Sequence, residues 1–215
     1  MIELTDTTAS AIAAEFVKAR RRAGSPAMGM VMTLVIVVDE DDAEDAMRAA
    51  RAASREHPAR VLGVIRGDGR GGGRVDAQVG IGSGWTGETA MIRLSGEVTK
   101  HAESVVVPLL LPDSPVVVWW PTDAPENPGE DPLGQLARRR ITDAAAMPRN
   151  KGKALLTQCR AYAPGNTDLA WTRITNWRIQ LAAVLDQAGP APVREVVVEG
   201  SGRSPSVVLL GAWLG

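Results

Sequence analysis

The run Met30-Val-Met-Thr-Leu-Val-Ile-Val-Val38 is almost continuously apolar and β-branched, the pattern of a strand buried on both faces. Six acids in the seven residues 39–45 follow it, and Ala43, Ala46, Met47, Ala50 and Ala53 then recur at helical spacing towards Arg51, Arg55 and His57. Acids at the start and bases at the end suit a helix dipole, and Pro58 stops the helix. Arg60-Val-Leu-Gly-Val-Ile65 reads as the next strand, giving a βαβ unit with parallel strands and a right-handed crossover. Val75–Val79 and Thr89–Ser95 alternate as strands joined through glycine, and are expected as antiparallel additions at the sheet edge.

Further along, 99–111 reads as a helix interrupted at Pro108, and Pro115-Val-Val-Val-Trp-Trp-Pro121 as another buried strand. Past the proline-rich stretch 121–132, Leu133-Gly-Gln-Leu-Ala-Arg-Arg-Arg140 and 151–159 are expected to be helical. So is 168–187, with Asp168 as its N-cap and Ala170, Ile174, Trp177, Leu181, Val184 and Leu185 as one apolar stripe. Val193-Arg-Glu-Val-Val-Val-Glu199 reads as a last strand, and Ser204-Pro205 opens a final helix. The order predicts an α/β fold, with a mixed, largely parallel sheet, helices on both faces and Rossmann-like layering. Residues 1–28 are expected to be an N-terminal helix (Ser10–Arg22) and linker. Residues 29–215 are expected to form the α/β domain, the front part of a longer chain cut inside a helix. The triplet Arg20-Arg21-Arg22 is either a solvated helix end complementing the dipole or a partner contact.

Composition narrows the chemistry. Twenty-four Lys+Arg against 25 Asp+Glu leave a net charge of −1, so no global field favours nucleic acid or an anionic membrane. One cysteine, Cys159, cannot form an internal disulfide, and with two histidines it cannot complete a four-ligand His/Cys zinc site. No stretch approaches the roughly 20 apolar residues that cross a bilayer, and no signal pattern opens the chain, so a cytoplasmic location is expected.

The glycine clusters contain two formal G-x-G-x-x-G matches, Gly67/Gly69/Gly72 and Gly82/Gly84/Gly87. Each runs into strand-like sequence, whereas a dinucleotide site needs the last glycine to open a helix whose amides receive pyrophosphate. No working dinucleotide loop, and no cofactor, is expected. Gly152-Lys153 lacks the rest of a phosphate loop, His101-Ala-Glu103 lacks the cysteine pair of a zinc deaminase, and Ser83 lacks flanking glycines. Cys159 sits among apolar neighbours and reads as a packed thiol. No catalytic constellation assembles. Tryptophan does stand out, six against one Phe and one Tyr. Trp119, Trp120, Trp171 and Trp177 lie in Arg- and Pro-rich stretches, where they serve either packing or an interface. Trp120, before Pro121, is expected at the sheet's carboxyl edge, with Arg138–Arg140 either holding an anion there or ending a helix.

Three of these stretches, 114–121, Asp131-Pro-Leu-Gly-Gln-Leu-Ala-Arg-Arg-Arg-Ile-Thr-Asp143, and Pro164-Gly-Asn-Thr-Asp-Leu-Ala-Trp-Thr-Arg173 with Trp177-Arg178, resemble the actinobacterial glucose-6-phosphate dehydrogenase assembly proteins, the OpcA family. The resemblance implies a non-catalytic partner that assembles or allosterically activates glucose-6-phosphate dehydrogenase in the oxidative pentose phosphate pathway. Contacts are expected from Trp120, Arg138, Arg139, Asp143, Asp168, Trp171, Arg173 and Trp177. Two alternatives stand beside it: a sugar-phosphate sensor or enzyme that uses the sheet's carboxyl edge, with Arg138–Arg140 and the helix start at Asp168 as its site, and a structural module that stabilises the dehydrogenase without altering turnover.

Overall fold

In the computed structural model, which describes residues 1–23, 29–81, 87–148, 150–189, 193–201 and 204–215, eight strands form one sheet. They are β1 (Ile2–Leu4), β2 (Met32–Val38), β3 (Ala59–Arg66), β4 (Arg74–Ile81), β5 (Glu88–Ser95), β6 (Val116–Trp119), β7 (Arg139–Thr142) and β8 (Asn166–Asp168). Their order is β1-β4-β5-β3-β2-β6-β7-β8. The five pairings from β5 to β8 are parallel, so β5, expected as an antiparallel edge strand, instead joins the parallel set beside β3, and only β4 and β1 are antiparallel additions at that edge. The expected mixed, largely parallel α/β sheet is therefore what forms.

Alternation along β2 decides how the sheet is covered. Val35 and Val37 face a large core completed by Ile12 and Phe16 of α1 (Ala9–Ala23), by α3 (Ala102–Val106) and by α4 (Pro132–Gln135). Ile36 and Val38 face the alanine stripe Ala43, Ala46 and Ala50 of α2 (Glu40–Ala53), whose small side chains let the helix lie close to the strands. Helices thus occupy both faces. The stretch read as one helix interrupted at Pro108 is 3₁₀ over Gly96–His101, α3, then 3₁₀ again over Val107–Leu109.

The segment read as a lead-in is integral. β1 pairs with β4, and Ile12 and Phe16 are buried, each stabilising by roughly 1.5–3 kcal/mol. Arg20 is not simply solvated: its Nε lies 3.1 Å from the buried Glu88 carboxylate. The Gly-Ser-Pro linker, 24–26, and Gly82 and Gly84 of the second glycine loop lie outside the described residues. Gly67–Gly73 leads into β4, as its sequence suggests, so no helix opens there.

Other elements depart from expectation. Arg139 to Thr142 is a strand, not a helix end. The helix begun at Asp131, whose side chain accepts from the Leu133 and Gly134 amides, lasts only to Gln135. The Arg138 amide then bonds to Val116 O at 2.9 Å and docks the chain beside β6, so pairing overrides helical propensity. The helix expected over 168–187 breaks at Ile174 into α6 (Leu169–Arg173) and α7 (Thr175–Ala188). Residues 193–199 form no strand, because no ladder partner lies beside them among the described residues. The remaining helices are α5 (Lys151–Arg160) and α8 (Pro205–Leu214).

Candidate functional site

Parallel sheets of this kind bind ligands at their carboxyl ends, above all where the strand order switches direction. Here the switch lies between β2 and β6, and the Thr122 hydroxyl bridges it by donating to Asp42 at 3.0 Å. The acids of the first turn of α2 would repel a phosphate at that point. The richer chemistry lies further along the edge, beyond β7 and β8.

Strand alternation sends Arg139 and Arg140 to opposite faces. Arg140 is consumed by the fold. Its guanidinium donates to Asn166 Oδ1 (2.6 Å), to the Gly134 and Ala137 carbonyls (3.1 Å each) and to Pro164 O (2.7 Å). Gly165, at φ +96°, lets the chain pass under Arg138, since a Cβ there would sit 2.7 Å from Arg138 O. Arg138 and Arg139 remain exposed.

Past β7, Asp143 is 5% exposed and forms a two-pronged ion pair with Arg173, with distances of 2.6 and 2.5 Å. Its Oδ1 also accepts from the Ala145 and Ala146 amides. The hydrogen bond to Asp143 holds the Arg173 guanidinium above its ordinary pKa. Asp168 caps α6 by accepting from the Ala170 amide at 2.9 Å, and its other oxygen accepts from the Thr142 hydroxyl and the Ala144 amide. Three of the expected contacts, Asp143, Asp168 and Arg173, thus form one latch joining the end of β7 to α6.

Trp120 is the clear correction. It is 1% exposed, in the same core as Val116 and Val118, with Gly134 against its ring. Residues 116, 118 and 120 share one face by strand alternation, and α3 and α4 cover that face. The Gly134 position admits no Cβ, which would meet Pro128 O at 1.8 Å, so the loop closes tightly over the indole. Trp171 and Trp177 are exposed, at 37% and 60%. The Arg178 guanidinium lies 3.9 Å from the Trp171 ring centroid, a cation–π stack that holds the ring in place.

Arg139, Asp168 and Trp171 line one groove of about 470 Å³ together with Gln158, Cys159 and Tyr162. Trp177 lies outside it, on a second groove beside α7. Among the described residues no three His, Cys, Asp or Glu side chains gather as a metal site, and no helix is long and apolar enough to cross a membrane.

Two family models match the chain: the glucose-6-phosphate dehydrogenase subunit N-terminal domain over residues 50–160, more than half of the chain, and the corresponding C-terminal domain over residues 164–215. The chain belongs to the OpcA family of glucose-6-phosphate dehydrogenase assembly proteins. Comparison with the curated proteins and with the solved structures finds no match. In this OpcA-family chain the boundary between the two family domains falls between α5 and β8. The groove therefore draws Arg139 from one domain and Asp168 and Trp171 from the other, with Tyr162 at the junction. Tyr162, the chain's single tyrosine, was not legible as a site residue, since it follows a helix end and belongs to no apolar period.

Cys159 also borders this groove, and it is exposed rather than the packed thiol its apolar neighbours suggest, because it lies on the outer side of α5. Burial, and then the charge of Asp168, push its thiol pKa up. A raised pKa means less thiolate at any given pH, so iodoacetamide should alkylate Cys159 several-fold more slowly at pH 8 than an unstructured cysteine peptide. Asp168→Asn should narrow the gap. Labelling at least as fast as the peptide would contradict this electrostatic picture.

Proposed function

We propose that this chain is a non-catalytic assembly factor and allosteric activator of glucose-6-phosphate dehydrogenase, acting in the cytoplasm at the entry of the oxidative pentose phosphate pathway. It needs no cofactor and engages neither nucleic acid nor membrane. One observation carries the reading. At the carboxyl ends of β7 and β8, Asp143 is paired with Arg173 and Asp168 accepts from the Thr142 hydroxyl, while Arg139, at the amino end of β7, shares one groove with Tyr162 and Trp171. Arg, Tyr and Trp are the residue types that dominate binding energy at protein interfaces. Arg138 and Trp177 extend the exposed surface, and Asp143, Asp168 and Arg173 act as positioning residues beneath it.

Activation follows from differential affinity. If the chain binds one conformational or oligomeric state of the enzyme more tightly by roughly 1–3 kcal/mol, the population shifts and activity changes about 5–150-fold. The sugar-phosphate alternative has less support: Arg140 spends four of its five N–H donors inside the fold, Arg139 and Arg140 begin β7 rather than end it, and Asp168 places a carboxylate at the start of α6, where an anion would sit.

The test is a rate assay of the cognate dehydrogenase titrated with this chain, after showing that the chain alone gives no turnover. A saturable rise in kcat or fall in KM is expected. Trp171→Ala should weaken the apparent affinity about tenfold or more, with little change in melting temperature, because the ring is largely outside the core. A flat titration together with no complex on a sizing column would sink the proposal.

A further inference from the structure

Charge is unevenly distributed along the chain. Residues 133–178, which build β7, α5, β8, α6 and the start of α7, carry nine bases against two acids. The remainder carries 15 bases against 23 acids, so the net charge of −1 hides a strongly cationic stretch. Both acids of that stretch are spent inside the fold. Asp143 holds Arg173, and Asp168 accepts from the Thr142 hydroxyl and the Ala144 and Ala170 amides. Among the bases, Arg138, Arg139, Lys151, Lys153 and Arg160 are exposed, and none of their side chains has an ion-pair partner among the described residues. Elsewhere Lys18, Arg48, Arg74, Arg93 and Lys100 each meet a carboxylate.

Topology gathers three of these cations. β7 and β8 are parallel, so α5 between them returns the chain from the carboxyl ends of the strands to their amino ends. Arg160, in the last turn of α5, therefore comes back to the end of the sheet where Arg138 and Arg139 lead into β7. Arg139 lines the groove of about 470 Å³ with Tyr162 and Trp171, and Arg160 lies between Cys159 and Tyr162 of the same wall. Lys151 and Lys153 stand at the far end of α5. Three guanidinium groups without a counter-charge repel one another and attract carboxylates, whose two oxygens match the guanidinium fork. A nucleic acid fits less well, because the rest of the chain is net acidic and Asp168 puts a carboxylate in the groove. Resting on the assembly role proposed above, we infer that the groove receives an acidic segment of the glucose-6-phosphate dehydrogenase subunit, its carboxylates on Arg138, Arg139 and Arg160 and its apolar side chains on Tyr162 and Trp171.

Association kinetics of the whole chain with the cognate dehydrogenase test this. Complementary charge acts mainly on the rate of encounter, and salt screens it, so association should slow about tenfold between roughly 50 and 300 mM NaCl while dissociation changes far less. Arg139→Glu combined with Arg160→Glu should slow association about tenfold or more and flatten its salt dependence. Arg139→Lys combined with Arg160→Lys keeps the charge and should keep the association rate. Arg21→Glu combined with Arg55→Glu changes the net charge equally at exposed positions outside the groove, and should have little effect. All these side chains are exposed, so melting should stay within about 2 °C; if the Arg139/Arg160 glutamate pair melts lower, the salt dependence of the unsubstituted chain decides. A complex that associates independently of salt, with that pair binding normally, overturns the acidic-segment inference and leaves the assembly role standing. Equal slowing by the Arg21/Arg55 pair traces the effect to net charge and overturns the groove as its seat. Faster association of the Arg139/Arg160 pair means a basic partner surface and overturns it too. So does tight binding of a single-stranded DNA probe of about 20 nucleotides at about 150 mM NaCl, abolished by the same pair, which makes the groove a nucleic-acid site. If the unsubstituted chain forms no complex at all, the assembly role fails and this inference falls with it.

Discussion

Replacing Glu88 with alanine should cost about 3–5 kcal/mol of stability, because it strips a buried guanidinium of its counter-charge. Glu88 lies at the start of β5, and its side chain is 2% exposed. Arg60, at the start of β3 beside it and 8% exposed, donates Nε to Glu88 Oε2 at 2.7 Å and Nη1 to Leu109 O at 2.6 Å. Arg20 of α1 approaches the other carboxylate oxygen, and Phe16 lies under the Arg60 guanidinium with its ring centroid 4.8 Å away. One carboxylate thus ties the N-terminal helix, two strands and the turn after α3 together. For a chain of this size the loss corresponds to a fall in melting temperature on the order of 10 °C. Thermal unfolding of Glu88→Ala and Glu88→Gln against the unsubstituted chain checks it. A change below about 1 kcal/mol in both would show that water reaches Arg60 and screens it. Arg20→Ala should cost much less, since that side chain is 30% exposed.

Trp120→Ala should cost about as much, roughly 3–5 kcal/mol, by leaving a cavity in the larger core. The indole fills the space between β6 and the α4 turn, and α4 has no other large aromatic side chain to take its place. The same substitution tests the core placement against the contact role expected from the sequence. With a core role, melting falls sharply, while the folded fraction at low temperature still binds the dehydrogenase with near-normal affinity. With a contact role, affinity would fall at unchanged melting temperature, the behaviour expected of Trp171→Ala. Measuring unfolding and binding on both variants gives a crossed pair of outcomes, and a Trp120→Ala protein that melts normally but does not bind would return Trp120 to the interface.

Much of the fold was legible along the chain, because the elements that periodicity identifies are stabilised by patterns that are themselves local. The β-branched run of β2, the acid-to-base gradient and alanine stripe of α2, and the run of β3 each combine intrinsic propensity with a face that must be buried. The absence of a helix after the first glycine loop could be read in the same way. The OpcA resemblance rested on three long motifs, which the family models match.

The site was legible only as a set of residue types. Asp143 and Arg173 are 30 positions apart, and nothing in their spacing says that they pair. Arg139, Arg140 and Ile141 became a strand because β6 offered a free edge, which turned one arginine into an internal tie and its neighbour into a surface group. The valine-rich segment 193–199 went the other way, since strand propensity is realised only against a partner. Trp120 follows a buried β-branched strand and Trp171 lies in a short helix; one is core and the other surface. The sequence by itself determined which segments were apt to be helix or strand and which face of each was apolar. Only the tertiary structure decided which edges met, which charges paired and which tryptophans stayed in water, because those outcomes depend on contacts between residues far apart in the chain.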